Sequence, residues 1–228
     1  MAGVVLGATG FGFAVVLMGF YPLLLGVRSA NVVVTLIGLI VPIYLIYPLL
    51  GDLRWKVLMP VVVGTVLGIP LGVWGLVRLD ETVLMRALGI FIALYLGYDI
   101  FLKARLNYRT PSQMGYLAGV VGGAFAGAFT AGGPPVVAFL ASLDLTKHQL
   151  KANILAFIVF ATVYKVFFFA YHELMTWKMV IYAAVLLLPT FAGVIAGQKL
   201  FDRISTPLFQ RVVQALLLTS ALYMVVGA

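Results

Sequence analysis

Cysteine is absent from all 228 residues. That excludes a disulfide framework and a thiolate metal site, and it leaves the compartment unread. Charge is almost as scarce: Asp, Glu, Lys and Arg make up 10% of the chain. A soluble domain carries roughly 25%, so an ordinary globular protein is excluded. The two histidines, His148 and His172, are isolated, and no set of histidines and carboxylates has metal-ligand spacing. No metal or cofactor is expected. A Walker-type phosphate loop is missing, so ATP coupling within this chain is not expected. Neither HExxH nor a Ser–His pairing stands out, so the pattern does not describe an enzyme.

What remains is apolar. Hydrophobic residues make up 64% of the chain and mean hydropathy is +1.14, which describes an integral membrane protein. The first charge is Arg28, and with no positive n-region before the apolar run a cleavable signal peptide is not expected. The net charge of +8 is scattered between apolar runs. It therefore reads as loops that obey the positive-inside bias, and no nucleic-acid partner is expected.

Charges punctuate the sequence into spans. Twenty-three uncharged residues separate Arg28 from Asp52, 21 separate Lys56 from Arg78, and 20 separate Lys178 from Lys199. A spanning helix needs about 20 apolar residues. Segments 87–103, 152–171 and 207–227 also fit single spans. Two segments do not, residues 1–27 and 110–143. The second holds 34 uncharged residues, a single helix of about 50 Å in a core of about 30 Å. Both are rich in glycine, and both end in proline-containing stretches.

The chain repeats. Ser29-Ala30-Asn31 matches Lys151-Ala152-Asn153, and Trp55-Lys56 matches Trp177-Lys178, at one offset. After a short insertion Gly68, Gly72, Arg78 and Arg86 match Gly193, Gly197, Arg203 and Arg211. We expect two transmembrane repeats, 1–103 and 115–228, joined by a cytoplasmic linker at 104–114. Each holds one glycine-rich broken segment followed by three transmembrane helices.

Topology turns on the glycine-rich segments. If each is a plain span, the chain crosses eight times with parallel repeats, and Lys and Arg divide six to eight between the two sides. If each is a re-entrant hairpin, the repeats are inverted. One side then holds Arg54, Lys56, Lys103, Arg105, Arg109, Lys147, Lys151, Lys199, Arg203 and Arg211, against Arg28, Arg78, Arg86 and Lys178. Ten against four is a positive-inside signal. The favoured fold is therefore all-α, polytopic, with two inverted repeats and both termini outside.

Irregular backbone at membrane depth is tolerated where it is buried in protein or lines a wet cavity. Transporters aim half-helix N-termini at anions in this way, at the interface of inverted repeats. Gly132-Gly133-Pro134-Pro135 reads as loop glycines followed by a helix start. Gly7 to Gly12, with Gly10 and Gly12, is the weaker counterpart; a kink that lets helices pack closely is the alternative. Asn31 and Asn153 either flank the site or serve as caps and interhelical hydrogen bonds. Lys165, inside a span, is either a functional charge or a snorkelling lysine. Asp99, Arg78, Arg86, Arg203 and Arg211 read as interfacial charges, and Trp55 and Trp177 as interfacial anchors.

The doubled pattern of a glycine-rich segment, a proline and an Ala-Asn start of the next helix resembles the TauE/SafE family of sulfite exporters. The resemblance rests on GGPPVVAFLASLDLTKHQLKAN (Gly132–Asn153), PLLLGVRSANVVVT (Pro22–Thr35) and the two GxxxG-plus-Arg patterns. One departure is GATGFGFAVV (Gly7–Val16), where the family shows consecutive glycines. The resemblance implies a multi-pass permease of the bacterial-type inner (plasma) membrane that exports sulfite or a related sulfur anion or sulfonate. The expected site, between the repeats, comprises Gly10, Gly12, Asn31, Thr130, Gly132, Gly133, Pro134, Asn153 and Lys165, working by alternating access. A passive anion channel, or a carrier of another small organic anion, is the alternative. A homodimer is left open as the assembled state.

Overall fold

The computed structural model describes residues 2–9, 12–97 and 111–200, then 214, 217–219 and 221–225. Among these the regular structure is helical, without strands. Nine helices follow in order among the described residues: α1 (Ala2–Thr9), α2 (Phe13–Leu25), α3 (Val27–Ile46), α4 (Trp55–Arg78), α5 (Glu81–Gly97), α6 (Met114–Phe129), α7 (Gly133–Ala141), α8 (Lys147–Tyr171) and α9 (Trp177–Leu200). A 3₁₀ turn, Tyr47–Asp52, continues α3. Among the described residues four helices are long and apolar enough to cross a membrane: α3 with its 3₁₀ extension, α4, α8 and α9. Asp99, Lys103, Arg105, Arg109, Arg203 and Arg211 lie outside the described residues.

Both over-long or glycine-rich segments are broken, at the places the breakers predict. In the first, α1 stops at Thr9 and α2 starts after Gly12, whose φ of 84° is left-handed. In the second, α6 stops at Phe129 and α7 starts at Gly133. At 1.5 Å per residue, the 16 residues of α6 rise about 24 Å and the nine of α7 about 14 Å. Neither crosses a 30 Å core alone. The chain doubles back between them. A Cβ on Gly122 would stand 2.7 Å from Val136 Cγ2, and one on Gly115 3.0 Å from the Phe139 ring. Later residues of α7 thus meet earlier residues of α6.

Glycine brings helices together at two seams. α4 runs parallel to α6 at backbone contact: Cβ atoms on Gly64, Gly68 and Gly72 would stand 2.0–2.2 Å from the carbonyl oxygens of Tyr116, Val120 and Ala124. α9 meets α1 in the same manner, with Gly3 against Thr190 and Gly193, and Gly197 against Val4. Small residues at such seams replace the hydrophobic drive that lipid removes. α3 packs on α8, and each also touches the other's follower, α4 on α8 and α9 on α3. Along the α3–α8 contact Asn31 meets Lys165 and Gly38 faces Thr162, so the two run in opposite directions. The last helical residues pack on α5, where Gly89 abuts Ala221 and Met224.

Helix ends are closed by side chains. Arg28 donates to the C-terminal carbonyls of α4: Nε to Leu76 O at 2.9 Å, and Nη2 to Val77 O at 3.3 Å and Leu79 O at 2.6 Å. Glu81 accepts from the Val27 N–H that opens α3. Thr146 and Gln149 form a capping box on α8. Trp55 and Trp177 are exposed.

Candidate functional site

The end of α6 carries a constrained turn. Thr130 sits at φ 55°, ψ 9°, a left-handed conformation that costs a β-branched residue on the order of 1–3 kcal/mol. Its N–H donates to Ala126 O, the 5→1 bond of an αL cap, and that of Ala131 donates to Phe125 O. The strain is held by the side chain. Thr130 Oγ1 donates to Asn31 Oδ1 and lies 3.1 Å from Thr35 Oγ1. Asn31 Nδ2 in turn donates to Gly127 O at 3.2 Å and Ala128 O at 2.5 Å. Asn31 therefore binds the C-terminus of α6 to α3 and is no N-cap.

Lys165 completes this knot. Its side chain is 1% exposed, so it does not snorkel. Nζ donates to Asn31 Oδ1 at 2.6 Å, Ala126 O at 2.6 Å and Thr130 Oγ1 at 2.7 Å. The Phe169 ring lies 4.9 Å away, one turn on. An ammonium has three protons, and all three are used. Its partners are neutral, and none is a carboxylate. A helix C-terminus favours a cation, but a buried charge without a counter-ion costs several kcal/mol. No carboxylate is among the partners of Nζ in the described residues.

Beside it lies a cavity of about 60 Å³. At 10–15 Å³ per water, that holds about four to six waters, or one small oxyanion. Both chain breaks open onto it. Gly12, Phe13, Ala14 and Val15 come from the start of α2, and Gly132, Gly133 and Pro134 from the start of α7. The first residues of a helix have N–H groups without intrahelical partners, and the macrodipole puts about half a positive charge at each N-terminus. Pro134 and Pro135 sharpen the second terminus. They occupy the second and third helical positions and carry no N–H, so two of the four orphan donors do not exist. Gly133 keeps its own. A Cβ on Gly133 would meet nothing within 4 Å, whereas one on Gly132 would stand 2.1 Å from Gly122 O. Gly132 is required by packing, and Gly133 keeps the cavity open.

A family model described as "Sulfite exporter TauE/SafE" matches residues 1–224. The chain belongs to the TauE/SafE sulfite exporter family. As a TauE/SafE protein it is a membrane transport protein, in keeping with its four long apolar helices. No curated protein and no solved structure matches the chain.

The TauE/SafE cavity gathers most of the residues that the sequence singled out. Gly12, Thr130, Gly132, Gly133, Pro134 and Lys165 line it, and Asn31 stands behind them on Lys165. Gly10 lies outside the described residues. Asn153 is absent from the lining; its Nδ2 donates to Gln149 O at 2.7 Å, and it sits buried in the second turn of α8. Sequence reasoning missed Thr35, Gly38, Phe157 and Thr162. Thr162 and Lys165 are three apart on a helix and share a face, a signal that was there to read once Lys165 had been chosen. No group of three or more metal-ligating side chains occurs among the described residues.

Proposed function

We propose that this chain is a secondary transporter that exports sulfite or a closely related sulfur oxyanion, by alternating access about a single central site. The observation that carries the reading is Lys165: a buried ammonium with only neutral partners, beside a cavity into which two helices point their N-termini. The described lining includes no carboxylate, and Lys165 is its one ionisable side chain. Sulfite, with three acceptor oxygens and a small volume, suits it.

The contacts support an inverted-repeat architecture in which 1–103 and 115–228 are the halves. Exchanging α1, α3 and α4 for α6, α8 and α9 turns the closest pairings into others: α4 on α6 into α9 on α1, and α4 on α8 into α9 on α3. The return of α7 along α6, and the opposed run of α3 and α8, fit re-entrant hairpins better than eight plain spans. On this reading the cavity lies between the halves, and rocking one against the other would open it to either side.

The test is uptake into liposomes holding the purified protein, with sulfite, sulfate, thiosulfate and small sulfonates, with and without a pH gradient. Saturable sulfite flux with counterflow is expected. Flux that rises linearly with concentration and shows no counterflow would mean a channel, and absence of sulfite flux would sink the reading.

A further inference from the structure

Threonines inside helices usually turn the hydroxyl back onto the carbonyl four residues earlier. Thr65 does so on Val61 O at 2.7 Å, and Thr190 on Leu186 O at 2.7 Å. Thr162, in the middle of α8, does not. It is 5% exposed, lines the cavity, and its hydroxyl has no hydrogen-bond partner among the described residues. Its Oγ1 stands 4.0 Å from where a Cβ on Gly38 would be, and Gly38 is itself part of the cavity wall. The hydroxyl therefore faces the cavity with its proton and lone pairs free for whatever occupies it.

The rest of the cavity cannot supply that donor from a side chain. Among the described lining residues three side chains are polar: Thr130, Thr162 and Lys165. The three protons of Lys165 go to Asn31, Ala126 and Thr130, and the hydroxyl proton of Thr130 goes to Asn31 Oδ1. Lys165 therefore acts on a ligand through its field, not through a free N–H. We propose that Thr162 is the side chain that hydrogen-bonds the bound oxyanion directly, between the N-termini of α2 and α7, and that it sets preference among small anions. This rests on the reading of the cavity as the anion site. A hydroxyl donor at a fixed place rewards an anion with an oxygen lone pair there. It does less for a halide, a larger and more diffuse acceptor.

The experiment compares wild type with Thr162→Val, Thr162→Ser, Gly38→Ala and Lys165→Met, using sodium sulfite and sodium chloride as probes. Calorimetric binding to purified protein and uptake into liposomes are both read, with thermal melting as the control for folding. Thr162→Val keeps the shape and removes the hydroxyl, which has no partner to orphan. It is expected to melt as wild type does, to bind sulfite about tenfold or more weakly, and to leave chloride binding within a few-fold. Thr162→Ser is expected to keep sulfite binding within a few-fold. Gly38→Ala adds a methyl in contact with the hydroxyl and is expected to weaken sulfite binding too. Folded Thr162→Val that binds sulfite as wild type does, while Lys165→Met does not, overturns the role of Thr162 and leaves the anion site standing. Should Thr162→Val fail to fold, wild-type sulfite binding by Gly38→Ala overturns it instead. Wild-type binding by both Thr162→Val and Lys165→Met overturns the site itself.

Discussion

Replacing Lys165 by methionine removes a charge while keeping most of the length and apolar stem of the side chain. The fold has little reason to object. Ala126 O, one of the three acceptors, also receives the Thr130 N–H at 2.9 Å, and Asn31 Oδ1 also receives the Thr130 hydroxyl. Neither is orphaned, and the cost of burying an ammonium disappears. Stability should change by no more than about 1 kcal/mol in either direction. Binding should not survive. An anion about 5 Å from Nζ interacts with it by about 3 kcal/mol at an effective dielectric constant near 20, which is a factor of more than one hundred in Kd. Calorimetry with sulfite on purified wild type and variant, each first shown to melt cooperatively, reads this directly. If the methionine protein binds sulfite within tenfold of wild type, Lys165 is not the counter-charge. The two helix N-termini would then have to hold the anion alone.

Gly132 and Gly133 should respond oppositely to alanine. Gly132→Ala forces a methyl against Gly122 O and should lower thermal stability by about 1–3 kcal/mol or more, whereas Gly133→Ala should melt as wild type does while its sulfite flux falls. Membrane topology can be read from Arg78→Cys and Lys147→Cys, both exposed positions in a chain without other cysteines. Inverted repeats predict labelling from opposite sides, and labelling from one side would refute them. Arg28→Ala strips three hydrogen bonds from the end of α4 and should destabilise the protein by about 2–3 kcal/mol, measured by thermal unfolding in detergent.

Much of this architecture was legible because the membrane leaves so few choices. Uncharged runs of about 20 residues had to be helices, and Gly132-Gly133-Pro134-Pro135 had to interrupt one; α7 starts at Gly133 as that pattern requires. Lys165 was legible as an anomaly, since a charge inside a span demands a reason. Its partners were not legible. Nothing local announces that Asn31 lies 2.6 Å from a lysine 134 residues away, because that contact is made by the crossing of α3 and α8. The same limit explains Asn153. Repeat symmetry suggested a second site asparagine, but symmetry of sequence fixes where a residue sits in its helix and not what stands opposite. Thr162 was overlooked for a different reason: a lone threonine in an apolar helix ordinarily bonds its own backbone, and only the structure shows that this one does not.

The seam between α1 and α9 bears on how the protein is made. Gly3 rests against Gly193, so α1 leaves the ribosome about 190 residues ahead of the helix it packs on. At roughly 5–20 residues per second, α1 waits about 10–40 s for the far side of its groove. Through that interval its glycine face has only lipid or the insertion machinery to lean on. A short helix in that position is the step at which a nascent chain is most open to slipping out of the bilayer or to capture by membrane quality control. Substitutions at Gly3, Gly193 or Gly197 should therefore show first as lost protein in the membrane, and only later, in whatever survives, as lost transport.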